Sequence, residues 1–367
     1  MSGLARSAKD TASAIAVAVG LPPFIPGTPS SLMSYASLSA GVQAACMLLG
    51  LALAGAMLSM PFSYVGGFRL ARSVGLGTQS AGAWARDYAV ASVLGAGLVA
   101  MLAGLVGWAS AGAPQLWWVA ATTLGTLGTV LVTYAAPVLI MPLFFKVTPL
   151  PDGPVRTRLL ELTTQAGSTV RGCDVIDQSR RSLAANAGII GLGRTRRIVV
   201  TDTLLEGGYP TAEIAAIFAH ELGHHAHGDM ASAIAVNSLS MAGCLAMTEA
   251  IRGWLAPSIG LGNAGDFAGI PVMVLIFGVV STLTMPLRAG ASRRREARAD
   301  AYGVRLTRDP EAWVRTLERL GWQNLAEVDP PRWIEWATYS HPAIGKRIAA
   351  ARGIDRETTS NNQHRLP

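Results

Sequence analysis

Charge is what this 367-residue chain has least of. Asp, Glu, Lys and Arg together make up 14% of it, against about 25% in soluble domains. Aromatic residues reach only 7%, and there are 3 cysteines. So few cysteines exclude a disulfide-stapled secreted scaffold. A chain that is 50% hydrophobic, with 40 glycines, is neither disordered nor a freely soluble globule. Lysine is scarce as well: arginine carries the +7 net charge apart from Lys9, Lys146 and Lys346. No basic run is interleaved with aromatics and no nucleic-acid-binding motif appears, so nucleic acid is not expected as a partner. The basic excess fits cytoplasmic loops of a membrane protein.

The distribution of charge carries more than its total. None occurs from Thr11 to Phe68 or from Tyr88 to Phe145, and charges then crowd into Lys146–Asp229. A bilayer crossing needs about 20 apolar residues. Ala36–Met60, Tyr88–Gly112, Trp117–Phe145 and Phe267–Leu287 qualify, and Met230–Glu249 is marginal. Ala12–Pro26 is short and interrupted by Pro22, Pro23 and Pro26. It reads as an interfacial or re-entrant piece, with a sixth span as the alternative. The chain thus divides into an N-terminal membrane domain (1–145, three spans or four), a soluble segment (146–229), two membrane helices (230–288), a second polar part (289–355) and a polar tail (356–367). Arg69, Arg72 and Arg86, the arginines of Lys146–Asp229, and Arg288 to Arg298 all fall on one side of that arrangement. The positive-inside rule makes that side cytoplasmic. The expectation is a multi-pass protein of the cell membrane, mainly α-helical, whose polar domain faces the cytoplasm.

Within the soluble segment a helix is expected from Pro154 to Gly167, with strands at Gly172–Ile176, Asn186–Gly191 and Arg196–Thr201. Thr211 is expected to cap a further helix running at least to His227. That helix carries His220-Glu221-Leu222-Gly223-His224. Histidines four apart share one helical face, one turn above the other, and both can reach a single zinc ion at about 2.0–2.1 Å. Glu221, beside the first of them, is placed to take a proton from a water activated by the ion. A catalytic zinc usually has three protein ligands. His227 lies on the same stripe, but about 10.5 Å along the axis from His220, where side chains converge poorly. Glu296, in Ser292-Arg293-Arg294-Arg295-Glu296-Ala297-Arg298-Ala299-Asp300, is the better candidate. Asp300 shares its helical face and can fix the tautomer of a ligating histidine. The plain alternative is that both carboxylates only pair with the surrounding arginines.

These residues resemble the CAAX prenyl protease 1 branch of the M48 zinc metallopeptidases, from about Pro61 to Ala350. The resemblance rests on His220–His224 and the Ser-Arg-x-x-Glu-x-x-Ala-Asp pattern at Ser292–Asp300. It extends to Thr148-Pro149-Leu150-Pro151-Asp152-Gly153, Arg181-Ser182, Asn186-Ala187, Arg197–Leu205, Ser340-His341-Pro342 with Arg347, and the Gly75–Asp87 region. It implies a chamber enclosed by transmembrane helices, of which this sequence has five or six where eukaryotic members have seven, joined to a small α+β gluzincin-type peptidase domain. It also implies a membrane endopeptidase with one Zn2+, acting near the C-terminus of peptide or protein substrates, isoprenylated or not. Carried over by motif, His220, His224 and Glu296 ligate zinc, Glu221 is the general base, and Asp300 supports the site. Asn186 would hold substrate backbone and His341 would stabilise the oxyanion. Each of these last two also has a plain reading, Asn186 as a turn residue and His341 as a helix-start residue before Pro342. Two rival functions remain: a quality-control metalloprotease of membrane proteins within the same family, and a metal transporter. Transport would want polar ligands within the spans, and they hold almost none.

Overall fold

A computed structural model describes residues 40–170, 172–259, 270–323 and 326–363. The expected interfacial piece at Ala12–Pro26 lies outside the described residues. The longer helices, in chain order, are α1 (Ala40–Phe62), α2 (Ala81–Ala109), α3 (Trp117–Ala135), α4 (Pro154–Gln165), α5 (Thr211–Ala226), α6 (Asp229–Ile259), α7 (Ile270–Leu283), α8 (Met285–Thr307), α9 (Pro310–Gln323), α10 (Arg332–Thr338) and α11 (Ile344–Gln363). Four strands accompany them: β1 (Val147–Pro149), β2 (Cys173–Ile176), β3 (Ala187–Ile190) and β4 (Arg197–Thr201). The molecule is a mainly helical membrane protein with one small sheet.

Among the described residues, four helical stretches are long and apolar enough to cross a bilayer: Gly41–Ser73, Ala81–Ala109, Pro114–Phe144 and Asp229–Ser258. The fourth is the stretch whose sequence looked marginal. It runs past Glu249 because that carboxylate is neutralised locally, accepting hydrogen bonds from Arg252 Nη2 (2.7 Å), Arg252 Nε (2.9 Å) and Trp117 Nε1 (2.8 Å). The pair α7 and α8, bent by 46° at their junction, makes a fifth if it is counted as one broken span rather than a re-entrant loop. Pro286, in the first turn of α8, cannot donate to the helical ladder across that break.

Contacts divide the chain into two units. The first comprises residues up to Gly67, Ala81–Gly128 and Ser238–Leu283. Within it α1 and α2 cross closely, so that a Cβ on Gly41 would stand 2.6 Å from the Gly104 carbonyl oxygen. Small residues at such a crossing let helix backbones meet where no hydrophobic effect drives them together. Thr126 Oγ1 bonds Ser238 Oγ at 2.8 Å, and Tyr88 donates to the Ala56 carbonyl at 2.6 Å. An apolar cavity of about 640 Å³ in this unit is lined by residues such as Leu48, Leu102, Met241 and Phe277.

The second unit comprises Phe68–Ser80, Thr129–Asn237 and Thr284–Pro367. Its sheet has the order β1-β2-β4-β3: β1 is antiparallel to β2, β2 parallel to β4, and β3 antiparallel to β4. The three expected strands are β2, β3 and β4. The turn between β3 and β4 starts at Gly191, whose φ of 87° suits glycine. β1 was not foreseen, being three residues that end in a proline, a residue that sheets tolerate at an edge. The core gathers Leu159 and Leu162 of α4, Ile198 and Val200 of β4, and Ile214 and Phe218 of α5.

Candidate metal centre

Two helices build the site. α5 is buried over most of its surface, from Glu213 through Gly223, as its mixture of Ile, Ala, Phe and Leu requires. α8 crosses it at two glycines. A Cβ on Gly303 would lie 2.9 Å from the His220 backbone nitrogen, and one on Gly223 would lie 2.9 Å from Ala299 Cα. Only glycine permits so close an approach. It brings Glu296 and Asp300, both buried on α8, against the histidines of α5. Thr211 is the first residue of α5 rather than its cap. Pro210 occupies the capping position without a side-chain hydrogen bond.

His220 Nε2 and His224 Nε2 are 3.2 Å apart. Glu296 Oε2 lies 3.3 Å from the first, and Glu296 Oε1 lies 3.5 Å from the second. Bonds of about 2.0–2.1 Å at tetrahedral angles separate ligand atoms by about 3.3–3.4 Å. The imidazole nitrogens stand near that spacing, Glu296 offers each of them a different oxygen, and one atom from each residue lies within 4.8 Å of the others. Glu296 Oε2 is buried with no hydrogen-bond donor upon it, a cost that an ion would remove. The donor set and its spacing therefore fit zinc.

Further side chains meet these groups. His220 Nδ1 approaches Asp300 Oδ1 at 2.7 Å. Asp300 in turn accepts a forked pair of hydrogen bonds from Arg347 Nε (2.8 Å) and Nη2 (2.7 Å). The Trp313 ring stacks on His220 at 5.4 Å between centroids, with the Arg347 guanidinium 5.3 Å from the Trp313 ring centroid. His224 Nδ1 bonds Asp229 Oδ2 at 3.0 Å, and Asp229 Oδ1 accepts from Arg298 Nη2 at 2.7 Å. Burial pulls the His220 imidazole down, but Asp300 and Glu296 outweigh it and push it up to about 9. His224 is likewise raised, because Glu296 and Asp229 overcome its burial. Burial holds the Glu221 carboxyl above its ordinary range against the pull of both histidines.

The remaining predicted residues fall around this cluster. Glu221 faces β3, where a Cβ on Gly188 would stand 3.7 Å from its Oε2. His341 Nε2 is 3.4 Å from Glu296 Oε1, while its Nδ1 meets Ser340 Oγ at 2.9 Å. Its pKa is lowered by burial, against the pull of Glu296. Asn186 immediately precedes β3; its backbone is bound to Thr201 and its side chain is exposed. His227 stands outside the converging set, its Nδ1 on the Gly223 carbonyl at 2.7 Å. His225 Nε2 meets Arg196 Nη1 at 2.9 Å. The arginines beside Asp300 in sequence are not its partner; Arg347 is.

A sequence profile described as peptidase family M48 matches residues 149–355. The chain belongs to peptidase family M48. A second profile, described as the CAAX prenyl protease N-terminal region with five membrane helices, matches residues 4–146 of this M48 metalloprotease. It is 28% identical over 302 residues to the uncharacterized metalloprotease YhfN of Bacillus subtilis, covering 80% of this chain and 70% of that one. It is 32% identical over 230 residues to the CAAX prenyl protease 1 homolog of Arabidopsis thaliana, covering 60% of this chain and 53% of that one. It thus spans about half the length of its plant relative. The crystal structure of S. mikatae Ste24p has the same fold, with a TM-score of 0.76 over 93% of this chain and 81% of that one, at 24% identity.

Sequence reasoning missed Asp229, Arg298 and Trp313. Asp229 is five residues beyond His224 and across a turn, so no helical period links the two. Trp313 reads only as a core aromatic of α9. Arg347 was visible as part of a motif, but its fork onto Asp300 was not.

Proposed function

We propose that this M48 metalloprotease is a zinc-dependent, membrane-integral endopeptidase of the CAAX prenyl protease type. It would cleave peptide bonds near the C-terminus of isoprenylated substrates, with its peptidase unit facing the cytoplasm. The observation that carries this reading is the triangle of His220, His224 and Glu296, with Glu221 and His341 at its border. The N-terminal profile match and the name of the plant relative support the substrate class. The arginine-rich loops support the sidedness.

His220, His224 and Glu296 would hold the zinc, with Asp300 fixing His220. Zinc, when bound, supplies a Lewis acid that polarises the scissile carbonyl and brings the pKa of water down to about 7. Glu221 accepts the proton of the attacking water and returns it to the leaving amine. A peptide lying extended along the free edge of β3 would pass Glu221 at Gly188, where the missing side chain leaves room. Asn186, exposed at the start of that edge, would bind the substrate backbone. His341 Nδ1 pairs with Ser340 Oγ; in the tautomer in which the hydroxyl donates to Nδ1, Nε2 carries the proton and would donate it to the oxyanion.

The test compares wild type with Glu221→Gln in zinc analysis and in cleavage of a farnesylated Cys-a-a-X peptide, its unprenylated twin and an unfolded membrane protein. One zinc per chain in both proteins is expected, with cleavage of the farnesylated peptide by wild type alone. Preference for the unfolded protein would favour a quality-control role. Peptidase activity in zinc-loaded Glu221→Gln would refute the general-base assignment.

A further inference from the structure

Asp229 is 4% exposed and opens α6, outside the His-Glu motif and outside every position assigned above. Gly228, with φ of 64°, turns the chain between α5 and α6 and folds Asp229 back beneath His224. One carboxylate oxygen meets His224 Nδ1 at 3.0 Å and the other accepts from Arg298 Nη2 at 2.7 Å. A carboxylate paired with a guanidinium has only lone pairs to offer, so the proton in the contact sits on His224 Nδ1. The lone pair of His224 is then on Nε2, the atom 3.2 Å from His220 Nε2 and 3.5 Å from Glu296 Oε1. Arg298 stands two residues beyond Glu296 on α8. One helix therefore supplies a ligand, the carboxylate behind one imidazole and the clamp on the carboxylate behind the other.

We propose that Asp229 is a positioning residue for the metal, fixing His224 as its Nδ1–H tautomer with Nε2 toward the ion, and that Arg298 acts through it. The proposal rests on the zinc reading above. A merely structural role is the competing explanation, since an acidic residue at a helix start interacts favourably with the helix dipole. Asn at this first helical position keeps the hydrogen-bonding shape and gives up only the modest interaction with the dipole, but it lacks the charge that clamps the imidazole proton.

The experiment uses the full chain in detergent or nanodiscs and zinc alone as probe, titrated against a chromophoric chelator. The d–d spectrum of the cobalt-loaded protein is recorded alongside. Asp229→Asn is expected to bind zinc about 10- to 100-fold more weakly, with an altered cobalt spectrum and an unchanged melting temperature of the metal-free protein. Arg298→Gln, at a half-exposed side chain, should weaken zinc binding in the same direction by less. The double variant should be no weaker than Asp229→Asn, because both act on one imidazole. Zinc affinity in Asp229→Asn within about twofold of wild type overturns the proposal and leaves the zinc reading standing. Wild type that takes up no zinc overturns both. Should Asp229→Asn fail to fold, Arg298→Gln decides: zinc affinity and a cobalt spectrum equal to wild type refute the positioning role.

Discussion

The sharpest test of how this site is assembled lies at a glycine that packs on the main chain of His220 and supplies no side chain to the site. Gly303→Ala places a Cβ 2.9 Å from the His220 backbone nitrogen and 3.1 Å from its Cα, where ordinary contact begins at 3.4 Å. Both neighbours are main-chain atoms, so no side chain can swing away. Relief requires α8 to move off α5 by about 0.5 Å, the difference between those distances. In stability the change is partly offset: overpacking costs about 1–3 kcal/mol and Ala is favoured over Gly in a helix by about 1 kcal/mol, a net loss of about 0–2 kcal/mol. Metal binding has no such offset. Glu296 rides on α8 and the histidines on α5, and ligand distances tolerate deviations of about 0.2 Å. Zinc affinity should fall at least tenfold, the scale of loss when a ligand's support is disturbed. Chelator competition reads the affinity, and melting of the metal-free protein reads the fold. Gly353→Ala on α11, with no atom within 4 Å of the added carbon, is the matched control and should stabilise by about 1 kcal/mol without changing zinc affinity. Zinc affinity in Gly303→Ala within twofold of wild type would mean that the α5–α8 crossing does not set the site.

Other perturbations separate the parts. Arg347→Ala leaves the Asp300 carboxylate buried without its forked partner, and should cost about 3–5 kcal/mol in thermal or chemical unfolding; Arg347→Lys should recover only part, since an ammonium cannot fork. His227→Ala should keep one zinc per chain by elemental analysis, whereas Glu296→Ala should not. Removing the metal with a chelator should lower the melting temperature by an amount that grows with the zinc concentration of the reference sample, and Glu221→Gln should respond as wild type does. Glu249→Ala strands Arg252 beside an apolar span and should lower the melting temperature, with zinc affinity unchanged.

Much of this was readable in the chain because two signals are local and strong. Charge-free runs mark the spans, and imidazoles at a spacing of four mark one helical face. The candidate third ligand was readable from its acid spacing, as Glu296 and Asp300 share a face of α8 by the same periodicity. Less was readable where geometry depends on elements distant in sequence. Gly223 and Gly303 look like helix-weakening residues until the crossing is seen, and the partnership of Trp313 with His220 joins α9 to α5 across 93 positions. The length of the fourth span was underestimated for a related reason. Glu249 in isolation argues for a helix end, and only its pairing with Arg252 and Trp117 lets the apolar helix continue.

That contrast explains the way α8 is written. Glu296, Asp300 and Gly303 follow spacings of four and three, so a single stripe carries the ligand, the carboxylate behind His220 and the bare spot that lets α5 approach. Arg298 points off that stripe, and its partner comes from α6 instead. A helix packed for stability alone would have filled position 303 with a methyl group or larger, gaining helix propensity and buried area. It would also have kept two acids out of a buried face. Each departure weakens α8 as an isolated helix. Each is answered by α5, whose His220 imidazole meets both acids and whose backbone packs against Gly303.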